Sequence, residues 1–422
     1  MNKDYQLGNL CSVGSSKRIH LSDYVENGVP FYRSKEIIEL SNGNNISETL
    51  YISNEKYNEI KEKFPVPKEN DILITSVGTI GISYLVKDSN FYFKDGNLTW
   101  LRNINSNIVD VKFLIKWLKS DFFLTQIYNN NIGAVQKAIT IDYLRQVNIS
   151  LPDLITQQKI AAVLSALDDK IELNNSINAE LEQMAKMLYD YWFVQFDFPN
   201  EDDKPYKSSG GKMVYNEVLK REIPDGWKNE LINDLGTIIG GSTPSKAIEE
   251  NFSHNGTPWI TPKDLSMNSK NKFITRGEYD VSDKGLKDAS LNILPAKSVL
   301  MSSRAPIGYL AINRDICTTN QGFKSIVCNK KYSYEYVYYI LNQYMPVIEA
   351  NATGSTFKEI SATVFKAINI IKPNKQVVDE FVKRISPIFQ KQDNLEQQNQ
   401  ELASLRDWLL PMLMNGQVKV VD

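Results

Sequence analysis

The stretch Pro152–Trp192, PDLITQQKIAAVLSALDDKIELNNSINAELEQMAKMLYDYW, decides the fold. Its apolar residues Ile160, Leu164, Leu167, Ile171, Ile177, Leu181, Met184, Leu188 and Tyr191 fall mostly in alternating steps of four and three. That spacing draws one stripe along a long helix, the seam of a coiled coil. The pattern returns near the C-terminus at Phe381, Ile385, Ile388, Leu395, Leu402, Leu405, Leu409 and Met412. An offset of 221 residues, read from Pro152 to Pro373, carries Ile160 onto Phe381, Leu164 onto Ile385, Leu167 onto Ile388, Asn178 onto Asn399, Glu180 onto Glu401 and Leu188 onto Leu409 without a gap. A helix with one apolar stripe cannot bury it alone, so each copy is expected to be the other's partner.

The duplication continues upstream. At the same offset GAVQKAITIDYLRQVNISLP (Gly133–Pro152) lies on GSTFKEISATVFKAINIIKP (Gly354–Pro373), matching Lys137 with Lys358 and Asn148-Ile149 with Asn369-Ile370. Further back the offset drifts by a few residues, as loops of unequal length require: Ile80-Gly81 falls on Ile307-Gly308, and Lys35-Glu36 on Lys263-Asp264. The chain therefore divides into a first globular domain (1–151), a long helix (152–196), a linker (197–227), a second domain (228–372) and a second long helix (373–416).

Within the first domain, short β-rich runs such as Asp71–Val86 and Phe91–Leu101 are bounded by Asn, Asp and Gly, and Val111–Tyr128 has helical spacing, which predicts an α+β domain. The second repeats the plan, with a Gly240-Gly241-Ser242-Thr243-Pro244 loop, a strand pair in Ser298–Ile312 and a helix in Tyr334–Val347. Acidic residues, Pro, Ser and Gly make Phe193–Trp227 a surface linker. Pro387 lies inside the second apolar stripe after Ser386, predicting a kink or a fresh start with Ser386 as N-cap, while Pro411 and Gly416 mark its end. The aromatics Tyr189, Tyr191, Trp192, Phe193 and Phe196 exceed what one seam can bury; they are either a docking surface or cover over a domain, and the same choice applies to Trp408.

A chain of 422 residues, 23% charged and 42% hydrophobic, suits two ordinary domains with extra helices, and no apolar run reaches membrane-spanning length. MNKDYQLGNL lacks a signal-peptide core, and Cys11, Cys317 and Cys328 have neither metal-ligand spacing nor an even count, so a reducing cytoplasm is expected. A net charge of −2 exerts no global pull on nucleic acid, so a basic surface has to be local. Gly210-Gly211-Lys212 lacks the upstream glycine and the hydroxyl of a P-loop, and His20 and His254 have no neighbours at metal-ligand spacing.

The motifs PWITPKDL (Pro258–Leu265), SSRAPIGYLAI with TTNQGF (Ser302–Phe323), YDYWFVQFDFP, KPYKSSGGKMVYN, REIPDGW and the terminal LLPMLMNGQV, in that order on a duplicated chain, resemble the specificity subunit of type I restriction-modification systems. The resemblance covers essentially the whole chain; the first half departs most, with Phe31-Tyr32-Arg33-Ser34-Lys35 and Ser76-Val77-Gly78-Thr79. It implies two target-recognition domains, each reading one half of a bipartite site in double-stranded DNA, joined by antiparallel coiled-coil helices with pseudo-two-fold symmetry. It also implies two methyltransferase subunits and nuclease-translocase (restriction) subunits as partners. S-adenosylmethionine, ATP and Mg are then expected on those partners and none on this chain.

DNA contact needs Lys or Arg for phosphates and Arg, Asn, Gln, Ser or Thr for base edges. The candidates are Lys17, Arg18, Arg33, Ser34, Lys35 and Lys137 in the first half, and Thr261, Lys263, Ser303, Arg304, Asn320, Gln321 and Lys358 in the second. The plainer reading of each is a residue of a solvated loop or turn, and the paired lysines equally suit structural ion pairs within each domain. Neither the Asn/Asp-Pro-Pro-Tyr/Phe loop nor the glycine-rich cofactor loop of an adenine methyltransferase is present, so a non-catalytic DNA-reading scaffold is expected. Two other classes compete: an enzyme with an unrecognised site, which would turn over by itself, and a coiled-coil adaptor for protein, which would give no two-part footprint.

Overall fold

The computed structural model describes residues 2–129, 138–304, 306–354 and 358–420. The chain divides into two compact units, residues 1–173 with 399–422 and residues 174–398. Two long helices, α1 (Leu154–Tyr189) and α2 (Lys375–Met414), each contribute to both.

Each unit is built on the same strand plan. In the first, Lys3–Gln6 pairs antiparallel with Asn148–Leu151 and so closes the globular segment on itself. A four-stranded antiparallel sheet follows the order Ser12–Gly14, Leu98–Arg102, Ile72–Thr75, Ser83–Leu85. Its strand Ile72–Thr75, all buried, is a β-branched run that sits between two neighbours with both faces covered. A second sheet orders Tyr24–Val25, Leu50–Ile52, Val29–Tyr32 and Tyr92–Phe93, the last pair parallel. The second unit repeats this with Lys228–Leu231 against Asn369–Lys372, then Thr237–Gly240, Lys324–Val327, Val299–Met301 and Leu310–Asn313, then Phe252–Ser253, Tyr279–Val281, Thr257–Ile260 and Thr318–Thr319. It adds one strand, Phe273–Ile274, parallel to Leu310–Asn313.

The helical pattern over Val111–Tyr128 resolves into two helices, Val111–Leu118 and Asp121–Asn129. Ser120 is the cause: its hydroxyl donates to the Trp117 carbonyl at 2.7 Å, diverting the backbone at the join.

Helix α2 runs as one element through Pro387 and Pro411, so the fresh start expected as one alternative at Ser386 does not occur. Ser386 does not cap; its hydroxyl donates to Glu335 at 3.0 Å, and Ile385 and Phe389 on either side are fully buried, so tertiary packing holds the turn that proline weakens. The helix ends just beyond Pro411, where Gly416 takes φ +71° and the N–H groups of Gly416 and Gln417 reach back to Leu413 and Met412.

The helices are antiparallel. In the second unit Asn174 donates to Gln398, Asn178 reaches Glu396 and Gln392 donates to Glu182, so numbers rise on one helix as they fall on the other. Of the seam residues, Ile160, Leu164, Phe381, Ile385 and Leu395 are buried, and Leu167, Ile171, Leu181, Leu188, Ile388, Leu402 and Leu409 are half-buried. Met184 and Leu405 are not seam residues: they are 54% and 43% exposed. Ala185 turns inward in place of Met184 because it shares a face with Tyr189, four residues on, and that face meets the second domain's core.

That core also takes the aromatic run. Tyr189, Trp192 and Phe193 lie 5.8, 5.8 and 5.0 Å from the Phe381 ring, and Phe193 stands edge-on to Tyr336, so these aromatics cover a domain; only Tyr191 of the run is exposed. The segment after them is more than a surface linker. Phe198 stacks between Tyr206 and Trp227, and Met213–Asn216 pairs with Arg221–Pro224. Gly211 packs so closely on Tyr206 that a Cβ would lie 2.5 Å from the ring, and Lys212 pairs with Asp225, so the Gly-Gly-Lys trio is a packed turn.

Candidate nucleic-acid interface

The loops that carry most of the second unit's candidates are drawn together by main-chain bonds. Strand Val299–Met301 runs into Ser302-Ser303-Arg304, where the Ser303 N–H donates to the Gly322 carbonyl at 2.7 Å and the Ser303 carbonyl accepts from Ile360 at 3.0 Å. Asn320 donates its N–H to Ile260 at 3.1 Å, which brings the TTNQGF loop beside Thr261. A Cβ on Gly322 would lie 3.1 Å from the Asn320 side chain, 3.4 Å from Pro262 and 3.9 Å from the Arg304 stem, so Thr261-Pro262, Ser303-Arg304 and Asn320-Gln321 converge on one glycine. Gly308, at φ +95°, makes the return of the Ser302 loop, its N–H donating to the Ser302 carbonyl at 3.0 Å.

The side chains divide by role. Thr261 is the N-cap of the helix Pro262–Met267, its hydroxyl bonded to Asp264 at 2.6 Å, and the Asn320 amide oxygen accepts from the Gly322 N–H at 2.9 Å. Ser303 is fully enclosed and accepts from the Lys324 ammonium at 3.3 Å, so its hydroxyl does not face solvent as a base-edge contact would require. Arg304 is exposed, held by Glu359 at 2.8 Å; Gln321 is exposed and receives the Thr243 hydroxyl. Lys263 pairs with Glu278 at 2.6 Å, and Lys358 is exposed on the segment that carries Glu359. Burial pushes the Lys324 ammonium down, an effect that Glu359 opposes.

The first unit uses the same frame. Ser76 donates to the Asn97 carbonyl at 2.8 Å, Ile139 to the Ser76 carbonyl at 2.8 Å and Gly81 to Thr75 at 2.8 Å, the repeat equivalents of the bonds just described. Ser34 donates to the Asn97 carbonyl at 3.3 Å, and Arg18 pairs with Asp95 at 3.1 Å, so both approach the turn Asp95–Asn97. Arg33 precedes the helix Ser34–Ser41 and spends its guanidinium on the buried Glu36 at 2.6 Å, a structural ion pair. Lys35 faces Glu48 at 3.7 Å, and Lys17 places its ammonium 4.3 Å from the Phe64 ring centroid. Lys137 lies outside the described residues.

Reading the sequence missed Lys324, Glu359, Thr243 and Asp95. Only Glu359 carried a signal, since it adjoins Lys358, which the repeat singles out. Cys11 and Cys317 are buried and Cys328 is partly buried, and desolvation pushes each thiol up to about 12. Among the described residues no cluster of three or more His, Cys, Asp or Glu could hold a metal ion, and no helix is long and apolar enough to cross a membrane.

Two copies of one α+β unit, each closed by a strand ribbon, packed on its share of two antiparallel helices and presenting an equivalent loop cluster, define a duplicated two-domain scaffold. A model of the family described as the type I restriction modification DNA specificity domain matches residues 2–183 and again residues 224–404, and the chain belongs to that family. It is similar to the type I restriction enzyme HindI specificity subunit of Haemophilus influenzae, 28% identical with 99% of each chain covered. It is also similar to the MjaIX specificity subunit of Methanocaldococcus jannaschii, 36% identical over 44% of this chain and 43% of that one. In fold it resembles the S subunit of a type I restriction-modification system from M. genitalium, with a TM-score of 0.58, 14% identity and coverage of 98% of this chain and 96% of that chain.

Proposed function

We propose that this specificity subunit reads a bipartite site in double-stranded DNA, one half-site per unit, through the loop clusters around Gly322 and around Asp95–Asn97. The observation that carries the reading is the repetition of the Ser303–Gly322 bond as Ser76–Asn97, with surface cations around each. Arg304, Gln321, Lys263 and Lys358 serve the second half-site, and Arg18, Lys35 and Lys17 the first. Thr261, Arg33 and Asn320 shape those loops.

The chain is non-catalytic by itself and works in the cytoplasm with two methyltransferase subunits and with restriction subunits, which hold S-adenosylmethionine, ATP and Mg. Duplication supports two copies of one partner: Met184 and Met187 are 54% and 55% exposed on α1, and their offset equivalents Leu405 and Trp408 are 43% and 56% exposed on α2. Exposed apolar side chains at equivalent positions suit equivalent partners.

The test is methyl transfer to DNA by the purified chain with and without its cognate methyltransferase subunit, with the modified adenines mapped. Modification of a two-part site only when both are present is expected. Turnover by the chain alone, or a one-part site, would remove the reading.

A further inference from the structure

A single carboxylate, Glu396 on α2, is 1% exposed and accepts four bonds inside the second unit. The backbone N–H groups of Lys272 and Phe273 donate to it at 2.7 and 3.0 Å, Arg314 at 2.9 Å and Asn178 of α1 at 3.5 Å. The Lys272 ammonium continues the network to Glu182 of α1 at 2.5 Å, Gln392 of α2 at 2.8 Å and Tyr339 at 3.0 Å, and stands 3.9 Å from the Phe389 ring centroid. Arg314 also reaches Asp393 at 2.5 Å and Thr275 at 3.0 Å. Lys272 and Arg314 belong to the recognition domain; every other ionic member belongs to a long helix.

An apolar interface would tolerate sliding, because dispersion and hydrophobic burial are non-directional. A buried network whose donors and acceptors are matched tolerates one arrangement, since any shift leaves a charge desolvated and unpaired. The first unit holds only the outline of this joint. Lys87 and Glu172, the offset equivalents of Arg314 and Asp393, approach at 3.8 Å with side chains 71% and 74% exposed, against 8% and 29% in the second unit. By the repeat offset Asn175 stands at the equivalent of Glu396, and among the described residues of the first unit no strand corresponds to Phe273–Ile274, which delivers the Lys272 and Phe273 amides.

We infer that Glu396, Lys272 and Arg314 are positioning residues: they contact no DNA, and they fix the second recognition domain on the helix pair in one orientation, which sets how sharply the complex discriminates the length of the unspecified gap between half-sites. The inference rests on the bipartite reading proposed above. One base pair more or less in the gap displaces a half-site by about 3.4 Å, far more than a fixed joint accommodates.

The experiment uses the full chain assembled with its cognate methyltransferase subunits and measures initial methylation rates on duplexes whose gap differs by one or two base pairs. The natural protein should prefer one gap by about tenfold or more. Lys272→Met, Arg314→Met and Glu396→Gln together remove the two cations and the most buried carboxylate, and leave charged only Glu182 and Asp393, whose side chains are 37% and 29% exposed. That variant should prefer the same gap by about threefold or less, with base preference in both half-sites unchanged. An unchanged gap preference in the folded triple variant, or altered bases in the second half-site, would overturn the inference. Absence of any two-part site with the natural protein would instead defeat the proposed function. A second measurement needs no variant: hydrogen exchange of the natural chain should find the Lys272 and Phe273 amides protected as strongly as the helix amides around Gln392. Exchange at the rate of exposed loops would overturn the joint directly.

Discussion

Arg304 and Glu359 meet at 2.8 Å, Nε to Oε2, on two segments that an antiparallel backbone bridge also joins. The guanidinium is thus oriented at the surface and partly neutralised, and on the proposed reading a base edge or phosphate has to compete with that carboxylate. Arg304→Ala should weaken binding to the specific site by about 1–3 kcal/mol and relax discrimination in the second half-site only. Glu359→Gln should tighten binding to all sequences. Equilibrium titration of the assembled complex with matched and mismatched duplexes reads both effects; an Arg304→Ala variant with natural affinity would take Arg304 off the interface.

Lys358 is exposed beside that pair, and on the proposed reading it contacts phosphate. Lys358→Ala should weaken all sequences alike and lower the slope of log affinity against log salt by about one. The repeat assigns Lys137→Ala the same effect. A slope unchanged in both would leave them as solvated surface.

Asp168 of α1 holds the first unit's share of α2 through Arg406 at 2.8 Å and the domain through Lys116. Burial pushes its carboxyl up, but the hydrogen bonds from Lys116 and Arg406 outweigh that, and the net direction is down. A depressed folded value means stability that is present above the unfolded carboxylate value of about 3.9 and is lost as pH falls through the lower folded one. Asp168→Asn should cost about 1–2 kcal/mol at neutral pH, discounted because the side chain is about one-third exposed. Denaturant melts should show the gap from the natural protein closing below about pH 4. A gap that stays constant to lower pH would mean the loss comes from packing alone.

The second domain opens and closes on itself, Lys228 opposite Lys372 in one antiparallel ribbon. Exchange of residues 228–372 for the same segment of another family member therefore cuts where the chain enters and leaves a folded body. One half of the recognised site should change and the other should persist, as read by mapping methylated adenines. Changes in both halves would mean the units do not read independently.

The 221-residue offset was legible because duplication repeats local patterns, and local patterns are what periodicity and turn chemistry report. From Ile160, Leu164, Phe381 and Ile385 two partnered helices follow, since an apolar stripe demands a partner; the α+β domains were legible in the β-rich runs between turn residues, and the antiparallel sense only in the family resemblance. What the sequence could not supply was which face of each helix a third body covers. Met184 fits the heptad as well as Leu188 does, yet Ala185 and Tyr189 are the buried ones because the domain core draws that face inward. Pro387 is a helix breaker by local chemistry, and only the burial of Ile385 and Phe389 carries the helix through it. Glu396, Lys272 and Arg314 read as surface charges in a one-dimensional chain; their pairing spans more than 120 residues from Lys272 to Glu396, and only the tertiary fold decides that a charge is desolvated and who answers it.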